Sequence, residues 1–153
     1  MNTKWIFIIL LLQISCMDKR ANLIKKVKNL GFPDNEIVVT LEDFFDGNSE
    51  EGSIGPNIYP NQPSPEEFYN ELNALKSSGT VDDIYVRIAD IEDPPGWPYT
   101  DAIYIISDLS KDKLSNKLKK LYPDEIYEGW MYGKPVNSPI IKTGLKVYSV
   151  WWD

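Results

Sequence analysis

Apolar and polar positions change period repeatedly along the chain, and the changes mark out its elements. Within residues 18–35, Leu23, Ile24, Val27 and Leu30 recur at helical spacing until Gly31 and Pro33 stop the pattern, which predicts a short amphipathic helix or a tether. Residues 36–41 (EIVVTL) have the β-branched, apolar composition of a strand. Thr40 and Asp43 then form a capping pair for a short helix over LEDFF, which Gly47 ends. Residues 46–65 read as loop from their Gly, Pro, Asn and Ser content.

The second half carries clearer signals. Ser64, Pro65 and Glu67 supply an N-cap, a first-turn proline and the reciprocal acid of a capping box, and Phe68, Leu72 and Leu75 line one face of the helix that follows. Across residues 81–91, Ile84, Val86 and Ile88 alternate with Tyr85, Arg87 and Ala89, the period of a half-buried strand. A Pro-Pro-Gly turn leads through Trp97 and Pro98 to a strand at 102–107 (AIYIIS). Ser110 is placed to cap a helix over 111–121 whose Leu114, Leu118 and Leu121 share a face, and Pro123 stops it. Residues 122–144 read as a long loop and 145–152 as a last strand. The order strand, helix, strand, strand, helix, strand is the split βαβ pattern. It predicts an α+β domain over 36–153 with a ferredoxin-like βαββαβ fold, a four-stranded antiparallel sheet carrying two helices on one face. A different strand order within an α+β sandwich is the competing architecture.

At the N-terminus Lys4 precedes an unbroken apolar run, residues 5–12 (WIFIILLL), and the only cysteine, Cys16, follows Ser15. The run is far shorter than the ~20 residues of a spanning helix and has the layout of an export signal. Residues 1–16 therefore read as a segment resembling a lipoprotein signal, with Cys16 lipidated and residues 17–35 as tether or helix. That places the domain outside the cytoplasm, anchored to a bacterial membrane. A start at Met17 would instead leave a cytoplasmic protein, and an ordinary signal peptide or an uncleaved anchor is the third reading.

Composition then narrows the chemistry. The 153 residues contain no His and one Cys, which excludes Ser-His-Asp and Cys-His catalysis, the usual N/S zinc site and an internal disulfide. A net charge of −7 opposes nucleic-acid binding, which needs Lys and Arg to displace counterions, and favours a basic protein partner. Asp46, Asn48 and Glu50 alternate like calcium-loop ligands, but Glu51 and Asn57 stand where an EF-hand loop needs Gly and Glu, so no metal is expected. No cofactor motif is present; GSIG lacks the Lys of a phosphate loop. Paired carboxylates are the common enzymatic option left open. The acids Glu42, Asp43, Asp46, Glu50 and Glu51 read first as a solvated, partner-binding face. Trp130 and Tyr132, in the 122–144 segment, read either as packing over the core or as a second contact surface. If Ile84, Val86 and Ile88 face the helices, Tyr85, Arg87 and Tyr104 share an open opposite face, which suits protein contact better than RNA stacking.

Three stretches, VTLEDFFDGNSEEGSIGPN (39–57), YPDEIYEGWMYGKP (122–135) and VYSVWWD (147–153), together resemble a family of small acidic bacterial proteins of undefined function. The resemblance covers the chain from about residue 36 onward and implies no catalytic residue. Size and acidity are also similar to those of immunity proteins that neutralise secreted toxins. The expectation is a non-catalytic acidic binding protein; the alternative is a carboxylate-dependent enzyme acting on a small substrate or glycan.

Overall fold

A computed structural model describes residues 19–91 and 96–153. Residues 19–29 form helix α1. Strand β1 (Val38–Thr40) runs directly into α2 (Leu41–Phe45), and α3 (Pro65–Ser77), β2 (Asp83–Arg87), β3 (Ala102–Ser107) and α4 (Lys111–Leu118) follow. After a 3-10 turn (Lys119–Leu121) the chain forms β4 (Glu125–Glu128) and β5 (Lys146–Trp151). The result is an α+β architecture with a five-stranded antiparallel sheet in the order β1-β2-β3-β5-β4.

This order departs from the ferredoxin-like expectation in two ways. The sheet has five strands rather than four, because residues 125–128 (EIYE), inside the segment read as loop, pair with β5. The first half forms no split βαβ unit, because β1 and β2 pair directly and antiparallel across α2 and α3; the second half does, with β5 inserted between the parallel strands β3 and β4 that α4 connects. The element order was compatible with both arrangements, and pairing decides between them.

Local chemistry explains most of the elements. Both capping boxes form: the Thr40 hydroxyl accepts from the Asp43 amide, and the Ser64 hydroxyl accepts from the Glu67 amide while the Glu67 carboxylate accepts from the Ser64 amide. Each such cap is worth about 1 kcal/mol. Ser110 occupies the N-cap of α4 without a side-chain cap bond, and regular helix ends at Leu118, leaving Leu121 in the 3-10 turn.

Strand β3 is buried on both faces, so side chains of opposite parity feed two separate cores. On one face Ile103 and Ile105 join Ile84, Val86, Tyr148 and Val150 beneath the four helices. Leu23 and Val27 of α1 enter this core, as do Phe44, Phe68, Leu72, Leu114 and Leu118. Residues 19–29 are thus an integral layer of the domain. The fully buried Trp152 closes this core: its ring stands edge-on to Phe68 at 5.4 Å and its indole N–H donates to the Leu121 carbonyl at 2.7 Å. Gly55, at φ +54°, lies so close that a Cβ there would sit 3.1 Å from Trp152 Cγ, which is why this position takes no side chain.

The opposite face holds a smaller core of Val38, Tyr104, Ile106 and Val147, against which Tyr85, Trp130, Ile141 and Leu145 pack. The expected open sheet face is therefore closed. Residues 129–145 cross it as a strap from β5 to the β1 edge. At one end the Ser149 hydroxyl donates to the Gly129 carbonyl and accepts from the Met131 amide. At the other end the Asn137 side chain accepts from the Val38 amide at 3.1 Å and donates to the Val38 carbonyl at 2.7 Å, while the Val136 amide donates to the Glu36 carbonyl. One carboxamide thereby satisfies the edge-strand groups that a neighbouring strand would otherwise take.

Candidate functional site

Two groups of polar residues are organised by this frame. The first lies where α1 meets α2. A cleft of about 620 Å³ is lined by Lys19, Lys26, Glu42, Asp43, Asp46 and Tyr69, among others. Its acids are matched by cations: Lys19 pairs with Asp46 at 2.5 Å, Lys26 with Asp43 at 2.6 Å, and Lys76 reaches Glu42 at 3.9 Å. Burial acts to raise the Asp43 pKa, but hydrogen bonds from Lys26 and Thr40 outweigh it and hold the carboxyl below its ordinary value. Such a group is a fixed anion, the opposite of a proton donor waiting near neutral pH.

Glu50 and Glu51 sit beyond this cleft in the loop after α2. A Glu50 carboxylate oxygen accepts from the Trp97 amide at 2.6 Å, and the Asn48 amide donates to Ser53. The Ile54–Thr100 bridge and the Gly55 amide bond to the Thr100 carbonyl fix the loop further. Its geometry is set by the fold, while Glu50 and Glu51 remain exposed on it, as do Glu42 on α2 and Asp46 at the end of that helix.

The second group lies under the strap. Arg87 on β2 forms a two-pronged pair with Glu36 (2.9 Å from both Nε and Nη2) and a third bond to Asp101 at 2.9 Å. The Tyr132 ring covers the guanidinium, 3.7 Å from its carbon to the ring centroid, and the Tyr132 hydroxyl donates to Asp101 at 2.7 Å. Burial and the Asp101 carboxylate push the Tyr132 phenol up to about 12. Burial works against the Arg87 charge, yet Glu36 and Asp101 raise its pKa above the ordinary value. Trp130 stands edge-on to Tyr104 at 4.6 Å, and the Tyr104 hydroxyl is buried beside the Tyr132 main chain with no partner in hydrogen-bond geometry.

The sequence-predicted contact residues are therefore split. Glu42, Asp43 and Asp46 share the cleft, Glu50 and Glu51 continue that surface, but Trp130 and Tyr132 belong to the opposite face of the sheet. Trp130 packs, and Tyr132 caps an ion-pair cluster. Glu36 and Asp101 were not singled out from the sequence; only Arg87, alone among apolar alternation, hinted that carboxylates had to lie nearby. Cys16, its signal segment and Met17 lie outside the described residues, as does most of the Pro-Pro-Gly turn. Among the described residues, no group of three or more His, Cys, Asp and Glu is placed to hold a metal ion, and no helix is long and apolar enough to cross a membrane.

The three sequence stretches that carry the resemblance each have a structural place. Gly55 from the first packs on Trp152 from the third, and the second provides β4 and the start of the strap. A family model described as the Uncharacterized protein YfbO family matches residues 18–150. The chain belongs to the YfbO family. Its relative in Escherichia coli (strain K12), Uncharacterized protein YfbO, is 31% identical over 117 residues, covering 76% of this chain and 82% of that protein. No solved structure matches the chain. The YfbO match begins at residue 18, so it includes α1, in keeping with the burial of Leu23 and Val27 in the main core.

Proposed function

We propose that this YfbO-family protein is a non-catalytic binding protein whose acidic surface, residues 42–51, meets a cationic protein partner, in the manner of an immunity protein. The observation that carries the reading is the combination of a loop pinned through Trp97, Ser53 and Thr100 with the Glu50 and Glu51 carboxylates left exposed on it and in no ion pair among the described residues. A rigid anionic surface steers a cationic partner and loses little entropy when bound. The depressed pKa of Asp43 favours this role over that of a catalytic acid.

The proposed location is extracytoplasmic, with Cys16 lipidated and residues 1–15 removed. Two residues lie between Cys16 and Lys19, the first described residue of α1, a reach of roughly 10 Å over three steps, so such an anchor would hold the cleft close to the lipid surface. The exposed Lys25 and Lys28 on α1 suit an anionic headgroup layer, Lys19 and Lys26 being paired with Asp46 and Asp43. Intact-mass analysis of native protein should give a lipid adduct on a chain starting at Cys16 that Cys16→Ala abolishes; an unmodified chain starting at Met17 overturns the location.

The binding role is tested by capturing the partner from native cells and following association kinetics across a salt series. Glu42→Lys with Glu51→Lys is the informative pair, because Glu50 also holds the Trp97 amide. The association rate should fall with salt and with both reversals. A rate indifferent to both removes the mechanism, and turnover of a substrate that is lost in Glu50→Gln moves the protein to the enzyme class.

A further inference from the structure

A groove that shares no lining residue with the acidic cleft lies between the loop 57–62, helix α3 and the turn after α4. Asn57, Tyr59, Asn61, Tyr122 and Asp124 line a hollow of about 200 Å³. Asn61 and Tyr122 also border a second hollow of about 510 Å³ that runs along Glu67, Asn70 and Glu71 of α3. The two hollows thus adjoin at Asn61 and Tyr122.

Its aromatic side chains are displayed rather than packed. Tyr59 is 94% exposed and Tyr122 50% exposed. Tyr122 ends the 3-10 turn at φ 50°, ψ 49°, in the left-handed region where this cap position ordinarily takes Gly or Asn. A tyrosine holds this left-handed position while half of it stays in solvent, and strain of this kind is found at functional sites. The opposing loop is held in shape by Gln62, whose carboxamide accepts from the Ile58 amide and donates to the Ile54 and Pro63 carbonyls.

The polar groups divide by charge. Each charged side chain along the groove already has an internal partner: Glu67 takes the Ser64 amide, Glu71 pairs with Lys120 at 2.6 Å, and Asp124 takes the Asp153 amide at 2.9 Å. The carboxamides of Asn57, Asn61 and Asn70 make no hydrogen bond among the described residues. What the groove offers a ligand is therefore two tyrosine rings and three neutral groups that both donate and accept. Phosphate or another anion would meet three carboxylates and a lysine already paired. A wholly apolar ligand would strand the amides.

We propose that this groove binds a neutral oligosaccharide, with sugar rings stacked on Tyr59 and Tyr122 and hydroxyls bonded to Asn57, Asn61 and Asn70. Hydroxyls donate and accept as carboxamides do, and the apolar face of a sugar ring suits the face of a tyrosine. A proline-rich peptide could stack on the same rings but offers mainly acceptors, leaving the amide oxygens unmatched.

The full chain is titrated by calorimetry with β-1,4-linked glucose and N-acetylglucosamine hexamers, an α-1,4-linked glucose hexamer and a polyproline peptide. At least one hexamer should bind, with affinity unchanged by salt, and Tyr59→Ala should weaken it about tenfold, the loss of one aromatic stacking contact. Tyr122→Gly is the separating variant: it should abolish or strongly weaken binding while keeping or raising the melting temperature, because it removes the strained tyrosine. Absence of binding by all three hexamers at millimolar concentration overturns the proposal, as does binding indifferent to Tyr122→Gly or binding of the peptide alone. Glu42→Lys with Glu51→Lys should leave sugar binding intact, so this reading and the acidic-face reading fail independently.

Discussion

Arg87 and Tyr132, one on a sheet strand and the other on the strap, are joined by a ring lying over a guanidinium 3.7 Å from its centroid. Because Glu36 and Asp101 complete the cluster and the Arg87 side chain is 12% exposed, removing the cation leaves two half-sheltered carboxylates facing each other. Arg87→Met should cost about 2 to 4 kcal/mol, a little under the penalty for one partner of a fully buried pair. Adding Glu36→Gln and Asp101→Asn should recover part of that loss; urea unfolding of the single, double and triple variants measures the coupling.

Asn137→Ala removes a donor and an acceptor from the buried Val38 backbone. The expected loss is about 1 to 3 kcal/mol. Hydrogen exchange at the Val38 amide should accelerate more than exchange in β3, and Asn137→Asp, which keeps the acceptor but sets a carboxylate oxygen against the Val38 carbonyl, should be no more stable than alanine.

Stability should decline at both ends of the pH scale for different groups. Burial tends to raise the Asp83 pKa, but hydrogen bonds from Lys76 and Tyr85 carry it below 3.8. A depressed carboxyl contributes stability that is present above pH 3.8 and lost as pH falls through the folded value, and Asp43 behaves alike. Asp83→Asn should therefore flatten the acid limb of a melting-temperature profile. Tyr85, Tyr104 and Tyr132 are each pushed up to about 12, chiefly by burial. Their contribution is complete below pH 10 and disappears between about 10 and 12, as the unfolded phenols ionise first. Phenolate absorbance should show a late-titrating group of tyrosines that Tyr132→Phe diminishes.

Leu72 and Leu118 are buried beneath α3 and α4 in the main core. Alanine at either should destabilise by roughly 2 to 5 kcal/mol in denaturant unfolding. Losses below about half a kcal/mol at both positions would contradict the packing described.

What could be read from the sequence was whatever is decided within a few residues. The boundaries of α3 were legible because Ser64, Pro65, Glu67 and the Phe68–Leu72–Leu75 stripe all specify the same helix. The two faces of β2 were legible from simple alternation, and Tyr85 does lie opposite Tyr104. Strand β4 was hidden because four residues carrying two glutamates have little strand character until β5 pairs with them. The ion-pair cluster was hidden for a related reason: Glu36, Arg87 and Asp101 are brought together only by the order of the strands. A segment rich in Trp and Tyr announced that it needed cover or a partner, without saying that the cover was the sheet's own second face.

The bond between Asn137 and Val38 spans 99 positions of sequence. At about 5 to 20 residues per second, a ribosome needs roughly 5 to 20 s to make the intervening chain. During that interval a nascent β1 has no carboxamide to seal it, and any chaperone or export factor that keeps the early segments apart would be guarding this exposed strand.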